Sequence, residues 1–314
     1  MSQNTLLYGA LAKGSQYYNL PRDLSWMNSK NHEHSDRDGH VVGYICNVKI
    51  HGTVANSISL GCAPNSWKMR NSFRKWHAYR SLMFSEAGVT ESEQGRYGKT
   101  IRPYLDASMK AGTIKDPVGW DISGTPPKQT QVWNYTSIAA APGFAAGGVG
   151  TESKPIVDVY ELNIAGINQV TDTSTKGTET YSAVGMIHSY NQDRMEVVTP
   201  TLDSQTVEGQ NNPLALLKQG GSVSGGEVMD IAELQELEAP PYDITDNGAS
   251  TALVGADIMQ INPGYDGSGS VPVLKQTQVF VPAGLLRIGT ADNEDPNAAV
   301  LIDVVGIVLC KDMA

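Results

Sequence analysis

The pentapeptide Lys128-Gln129-Thr130-Gln131-Val132 recurs letter for letter as Lys275-Gln276-Thr277-Gln278-Val279, nearly half a chain of 314 residues away. Its weight depends on whether neighbouring features repeat in the same order. Downstream of the first copy, residues 156–164 read apolar, gap, Asp158, gap, then apolar at alternate positions; downstream of the second, residues 301–309 do the same around Asp303. Upstream, Val41-Val42-Gly43-Tyr44-Ile45 is echoed by Ala183-Val184-Gly185-Met186-Ile187. Three landmarks in one order predict two copies of a β-rich unit: an arm over residues 1–37, a first barrel over 38–167 and a second over 168–314, with Val132 matching Val279 and Asp158 matching Asp303.

Aromatic residues are few and glycine is abundant, at 32 residues, a balance that favours strands and turns over helical bundles. A net charge of −10 argues against a surface made for sequence-specific nucleic-acid binding, which needs a clustered excess of Lys and Arg. Cys46, Cys62 and Cys310 are odd in number and lack metal-ligand spacing, so neither a disulfide framework nor a zinc site is implied, and synthesis in a reducing cytoplasm fits. The N-terminus has no basic region followed by a secretory apolar run.

Residues 1–37 show no sustained period and are expected to order only against a neighbour or the body of the protein. His32-Glu33-His34-Ser35-Asp36-Arg37-Asp38-Gly39-His40 is the densest cluster of potential ligands. On a strand, His32 and His34 would share a face, and Asp36 or Asp38 would complete a metal site; the alternative is a solvated loop. From Val42 the chain alternates, with Tyr44, Cys46, Val48 and Ile50 on a buried face and Asn47, Lys49 and His51 facing water; Thr53–Leu60 reads as a second strand. A helix is expected over 67–87, capped by Ser66 and stopped by Gly88. Met69, Phe73, Trp76, Tyr79 and Met83 would pack inward, leaving Arg70, Arg74, His77 and Ser81 outside with Lys68 and Lys75 beside them.

Residues 93–127 carry turn chemistry, Ala139–Gly150 reads as a surface loop, and Ile167–Thr180 as the connection between copies. Asp158 and Asp303 interrupt apolar strand faces; paired carboxylates suit acid–base chemistry, but each also fits a structural role near a strand's start. The second copy opens with strand-like Ala183–Tyr190 and Met195–Val198. Short helices follow over 213–219 and 227–238, the latter carrying Asp230, Glu233 and Glu236, and the last strand, Leu301–Cys310, reads as buried on both faces. No phosphate loop, dinucleotide glycine pattern, Gly-x-Ser-x-Gly elbow, Cys-x-x-Cys or His-Glu-x-x-His occurs.

The expected fold class is therefore all-β, two tandem jelly-roll β-barrels with a few inserted helices. At that level the whole chain resembles the double jelly-roll major capsid proteins of icosahedral phages that enclose a membrane, among them the lipid-containing phage of Flavobacterium. The resemblance implies a structural protein of the virion without catalysis or cofactor. It also implies a homotrimeric, pseudo-hexameric capsomer that contacts neighbouring capsomers, minor capsid or membrane proteins and the inner membrane. Under it, Lys68, Arg70, Arg74 and Lys75 would face Asp230, Glu233 and Glu236 across an assembly seam. The rival readings are a bicupin-like metal-dependent enzyme using His32, His34 and Asp36, and a carbohydrate- or cell-surface-binding β-sandwich.

Overall fold

The computed structural model describes residues 4–11, 14–52, 58–90, 92–95, 98–112, 114–118, 132–139, 143–144, 155–156, 159–166, 169–172, 180–195, 254–256, 273–290 and 295–311. The chain divides into two units, residues 1–190 with 248–314 and residues 191–247; the described elements lie in the first, apart from the end of one helix. In order they are β1 (Thr5–Leu11), β2 (Gly14–Asn19), α1 (Leu20–Asn28), β3 (Val41–Gly52), β4 (Ile58–Cys62), α2 (Trp67–Glu86), α3 (Ala107–Ala111), β5 (Ser137–Ala139), β6 (Gly143–Phe144), β7 (Pro155–Ile156), β8 (Val159–Asn163), β9 (Gln169–Asp172), β10 (Thr180–Gly185), α4 (Met186–Met195), β11 (Val254–Ala256), β12 (Val273–Pro282), β13 (Leu285–Thr290) and β14 (Asp295–Cys310). This part of the chain is mostly β-strand, in largely antiparallel sheets, with a few helices.

Two four-stranded antiparallel sheets dominate, in the orders β1-β14-β3-β12 and β11-β4-β13-β2. Their facing sides share one core, in which Leu6, Tyr8, Tyr44, Cys46 and Val48 of the first sheet meet Tyr18, Leu60, Leu286 and Ile288 of the second. Each large apolar side chain fully withdrawn from water there contributes roughly 1.5–3 kcal/mol. The alternation expected from Val42 holds, with Cys46 buried and His51 exposed. A third sheet, β5-β8-β10-β9, contains a parallel pair, β8 with β10. It contributes Ile138, Tyr160, Leu162 and Val184 to a second core under Met69 and Phe73 of α2.

Strands that precede residue 63 hydrogen-bond to strands that follow residue 253, β3 to both β12 and β14 and β13 to both β2 and β4. That pairing runs across the expected division at residues 167/168, so that strands assigned to separate barrels share sheets. The landmarks fall in unlike settings. Val279 is 7 % exposed within β12, whereas Val132 is 75 % exposed outside any strand. Val41–Ile45 starts β3, but the Ala183–Ile187 stretch leaves its strand at Met186 for α4, which also replaces the strand expected through Tyr190. Asp158 and the helices at 213–219 and 227–238 lie outside the described residues.

The leader is likewise structural. Its strands are too short to show a period, yet Leu6, Tyr8, Tyr17 and Tyr18 are buried, and α1 begins at a legible signal, the Asn19 side chain accepting from Arg22 N with Pro21 in the first turn. The expected inter-copy connection holds β9, paired with β10. Helix α2 matches its expected bounds, with the Ser66 cap on Met69 N and Gly88 at positive φ beyond Ala87. The last strand departs from expectation: Ile302 and Val304 are buried, but Val305, Ile307, Val308 and Leu309 are all at least 41 % exposed.

The chain passes from the first sheet to the second between β12 and β13 at Ala283 and Gly284, both at positive φ (57° and 68°). Ala283 N donates to Val42 O and Leu20 N donates to Gly284 O, each at 2.9 Å, so the corner holds the starts of β3 and α1. A Cβ at Gly284 would lie 2.5 Å from Pro21 Cδ and 2.8 Å from Tyr44 Cε2. Gly284→Ala is expected to lower stability by about 2–4 kcal/mol, through left-handed strain and overpacking together. Chemical denaturation checks this; an unchanged midpoint would mean that the Pro21 and Tyr44 rings move aside freely.

Candidate functional site

The residues singled out from sequence converge on the loop 29–40 and the first half of α2. The loop is no extended strand, so His32 and His34 do not share a face toward one ligand. His34 is fully buried and its Nδ1–H donates to Ala283 O at 2.6 Å. Its ring meets Trp133 edge-on, centroids 5.7 Å apart, and its Nε2 is buried without a hydrogen-bond partner. His32 anchors through its backbone, N–H to Ser25 Oγ at 2.9 Å. The expected trio of His32, His34 and Asp36 is thus not assembled: His34 serves as a strut between the loop and the β12–β13 corner.

Among the described residues, the group that brings three ligand atoms within 4.8 Å of one another is Asp36, Asp38 and His40. Asp36 Oδ1 accepts from the amides of Asp38 (3.0 Å) and His40 (2.7 Å), and Oδ2 lies 3.2 Å from His40 Nδ1. His40 Nε2 in turn accepts from an Arg74 guanidinium nitrogen at 3.2 Å. These bonds shape a turn, a role an Asp side chain fills without metal. The turn lies hard against α2, since a Cβ on Gly39, itself at φ +84°, would be 3.1 Å from Arg74 Cα.

Under the turn, Ser35 Oγ and His77 Nε2 are 2.8 Å apart. A Ser–His contact is the pairing used for nucleophilic catalysis, but Ser35 is 1 % and His77 7 % exposed, so a substrate carbonyl has no route to the hydroxyl. The pair fastens the loop to the helix. Beside it, Arg102 binds both carboxylate oxygens of Glu33 (2.9 and 3.3 Å) and stacks on the Trp133 ring, 4.1 Å from its centroid.

Helix α2 is rotated from its expected setting. Arg70 and His77, assigned to the wet face, are 8 % and 7 % exposed. Trp76, Tyr79 and Met83, assigned inward, are half-buried. Arg74 and Lys75 are exposed, Lys68 is half-buried, and the acidic residues proposed to face them, Asp230, Glu233 and Glu236, lie outside the described residues. Asp303, the other carboxylate singled out, accepts from Thr5 Oγ1 at 3.0 Å and so joins β1 to β14.

One buried polar cluster had no sequence signal beyond adjacent charges. Asp23, fully buried, accepts from Tyr8 Oη at 2.5 Å and from Arg22 Nε at 2.8 Å. Arg22 also donates to Lys115 O at 2.6 Å and pairs with Asp116 at 2.9 Å. Burial pushes the Asp23 carboxyl up to about 6 against the opposing pull of Arg22, and burial pushes both His34 and His77 down to about 4.

These shifts act in opposite senses. The histidines, lowered from about 6.5, give stability that is present above that pH and lost as pH falls toward 4, each on the order of 2 kcal/mol. Asp23, raised from its unfolded value of about 3.9, gives stability that grows as pH falls through 6 and is lost as pH rises. Between pH 6.5 and 4 the expected result is a net acid-side loss, shallower in His34→Gln and steeper in Asp23→Asn. Denaturation midpoints across that range check it; a His34→Gln slope equal to the wild-type slope would remove His34 from the account.

Comparisons of the chain with protein-family models, with curated proteins and with solved structures find no match.

Proposed function

We propose that the protein is a structural shell-forming protein, the major capsid protein of an icosahedral virus. The carrying observation is the strand order. Numbered along the chain, the eight strands of the two main sheets lie as 1-8-3-6 and 5-4-7-2, the arrangement of a jelly roll, a fold used by capsid proteins, lectins and cupins. This reading replaces two tandem barrels by one sandwich built from both ends of the chain, with residues 63–253 inserted between its fourth and fifth strands. A membrane inside the shell and a trimeric capsomer remain part of the proposal, on the resemblance stated above.

The sandwich interior favours a shell protein over a cupin. A cupin holds its metal inside the barrel, whereas this core is filled by Leu, Ile, Val, Tyr and Cys side chains, and His32 and His34 sit on the loop outside it. A lectin-like binding module has no comparable observation in its favour.

The experiment is electron microscopy of the purified protein over a range of salt and protein concentrations, with native mass spectrometry of the smallest species. Closed shells and a trimeric building block are expected; a monomer with stoichiometric iron, manganese or zinc would overturn the reading. Exposed Arg74 and Lys75, rather than buried Arg70, are the cations placed to meet an acidic neighbour. Surface pairs are worth about 0–1 kcal/mol each, so they steer association more than they hold it. Arg74→Glu with Lys75→Glu is expected to slow assembly and change its salt dependence, and Glu233→Lys with Glu236→Lys to restore part of the rate. Light-scattering kinetics indifferent to the first pair of changes would mean that this face has no partner.

A further inference from the structure

The guanidinium of Arg80, in the second half of α2, is half-buried and is held in place by neutral groups. Its Nη1 donates to Thr100 O at 2.7 Å and reaches Thr136 Oγ1 at 3.5 Å, and its Cζ lies 5.6 Å from the centroid of the Phe84 ring, one turn further along the helix. Thr136 Oγ1 also accepts from Arg102 N at 2.9 Å, so the two arginines share an anchor. Nε and Nη2 form the edge with which an arginine grips two oxygens at once. At Arg80 they make no hydrogen bond to a described residue, and they are not sealed from water.

A charge taken partly out of water is normally covered by an opposite one. Arg22 has Asp23 and Asp116, and Arg102 has Glu33; Arg80 has no carboxylate at ion-pair distance among the described residues. Burial and, after it, the charge of Arg102 both depress the Arg80 pKa, and no carboxylate pulls the other way. At Arg22, by contrast, the carboxylates outweigh burial. We propose that the open Nε and Nη2 edge of Arg80 is a binding site for a carboxylate. One uncovered positive charge matches one negative charge, and the two donors match the spacing of the two carboxylate oxygens. A phosphate dianion would bring a second charge, and the neighbouring cation, Arg102, is already engaged by Glu33. The carboxylate comes from a small acid in solution or from an Asp or Glu side chain of a second copy, in a chain with 33 acidic residues against 23 Lys and Arg. The site goes beyond the capsid reading and does not depend on it.

The test is thermal denaturation at pH 7 in sodium acetate against sodium chloride at equal ionic strength, with sedimentation velocity in the same buffers. Acetate is expected to raise the wild-type midpoint saturably, by about 2 °C at about 100 mM. Arg80→Lys, which keeps the charge and removes the fork, is expected to lose that difference, while Arg74→Lys, at an exposed position on the same helix, keeps it. Acetate that also weakens wild-type self-association, matched by weaker association of Arg80→Lys, would uphold the site and assign the carboxylate to a second copy. Acetate binding with association unchanged would uphold it and assign the carboxylate to a small acid. No saturable difference in the wild type would overturn the proposal, whether or not Arg80→Lys folds. An equal difference in Arg80→Lys would overturn it as well, and sodium phosphate acting at about tenfold lower concentration than acetate would overturn the choice of carboxylate.

Discussion

The fold depends on one corner. At Ala283 and Gly284 the chain leaves the first sheet for the second, and the backbone there bonds β3, α1 and the His34 imidazole at once. Two successive residues at positive φ turn a strand sharply at an energetic cost, and such strain persists only where the surroundings over-determine it. Here they do: Pro21 and Tyr44 close over Gly284 from two sides. The corner therefore couples residues near 20, 34, 42 and 284, and it fixes how the two sheets face each other.

What could be read from the sequence was local. The alternation of β3 and the capped span of α2 came through because each is long enough to display its own period. β1 and β2 did not, since strands of seven and six residues show too few alternations to distinguish from chance. The rotation of α2 was missed because Trp76, Tyr79 and Met83 outweigh Arg70 and His77 in any hydrophobic count. Yet His77 lies one turn beyond Phe73 on the buried stripe, where Ser35 satisfies its ring. Spacing showed which residues share a face; only tertiary contact showed that the His77 imidazole finds a partner inside.

The repeat says little about strand partners for a related reason. Lys-Gln-Thr-Gln-Val is polar at four positions of five, and nothing in it compels a strand. In β12 the segment is held by pairing to Val48, Asn47 and Cys46 of β3, contacts more than 200 residues distant in sequence. Short identity carried no information about such partners. The His32–His40 stretch was similar: ligand-type side chains gathered in sequence, but an imidazole-to-carbonyl strut and an Asp-centred turn consumed their bonding capacity.

Joining the two ends of the chain has a consequence for how the molecule forms. β3 cannot complete its sheet until β12 and β14 have been made, so the principal core rests on contacts of very long range, whose loop-closure entropy must be met before burial rewards it. The second core also draws on both chain ends through Tyr17, Val41, Leu285 and Cys310, but its contact between α2 and the sheet of β5, β8, β9 and β10 closes within about a hundred residues. That part of it can consolidate earlier than the sandwich. On that order, a destabilising change where α2 meets the third sheet slows formation of the sandwich.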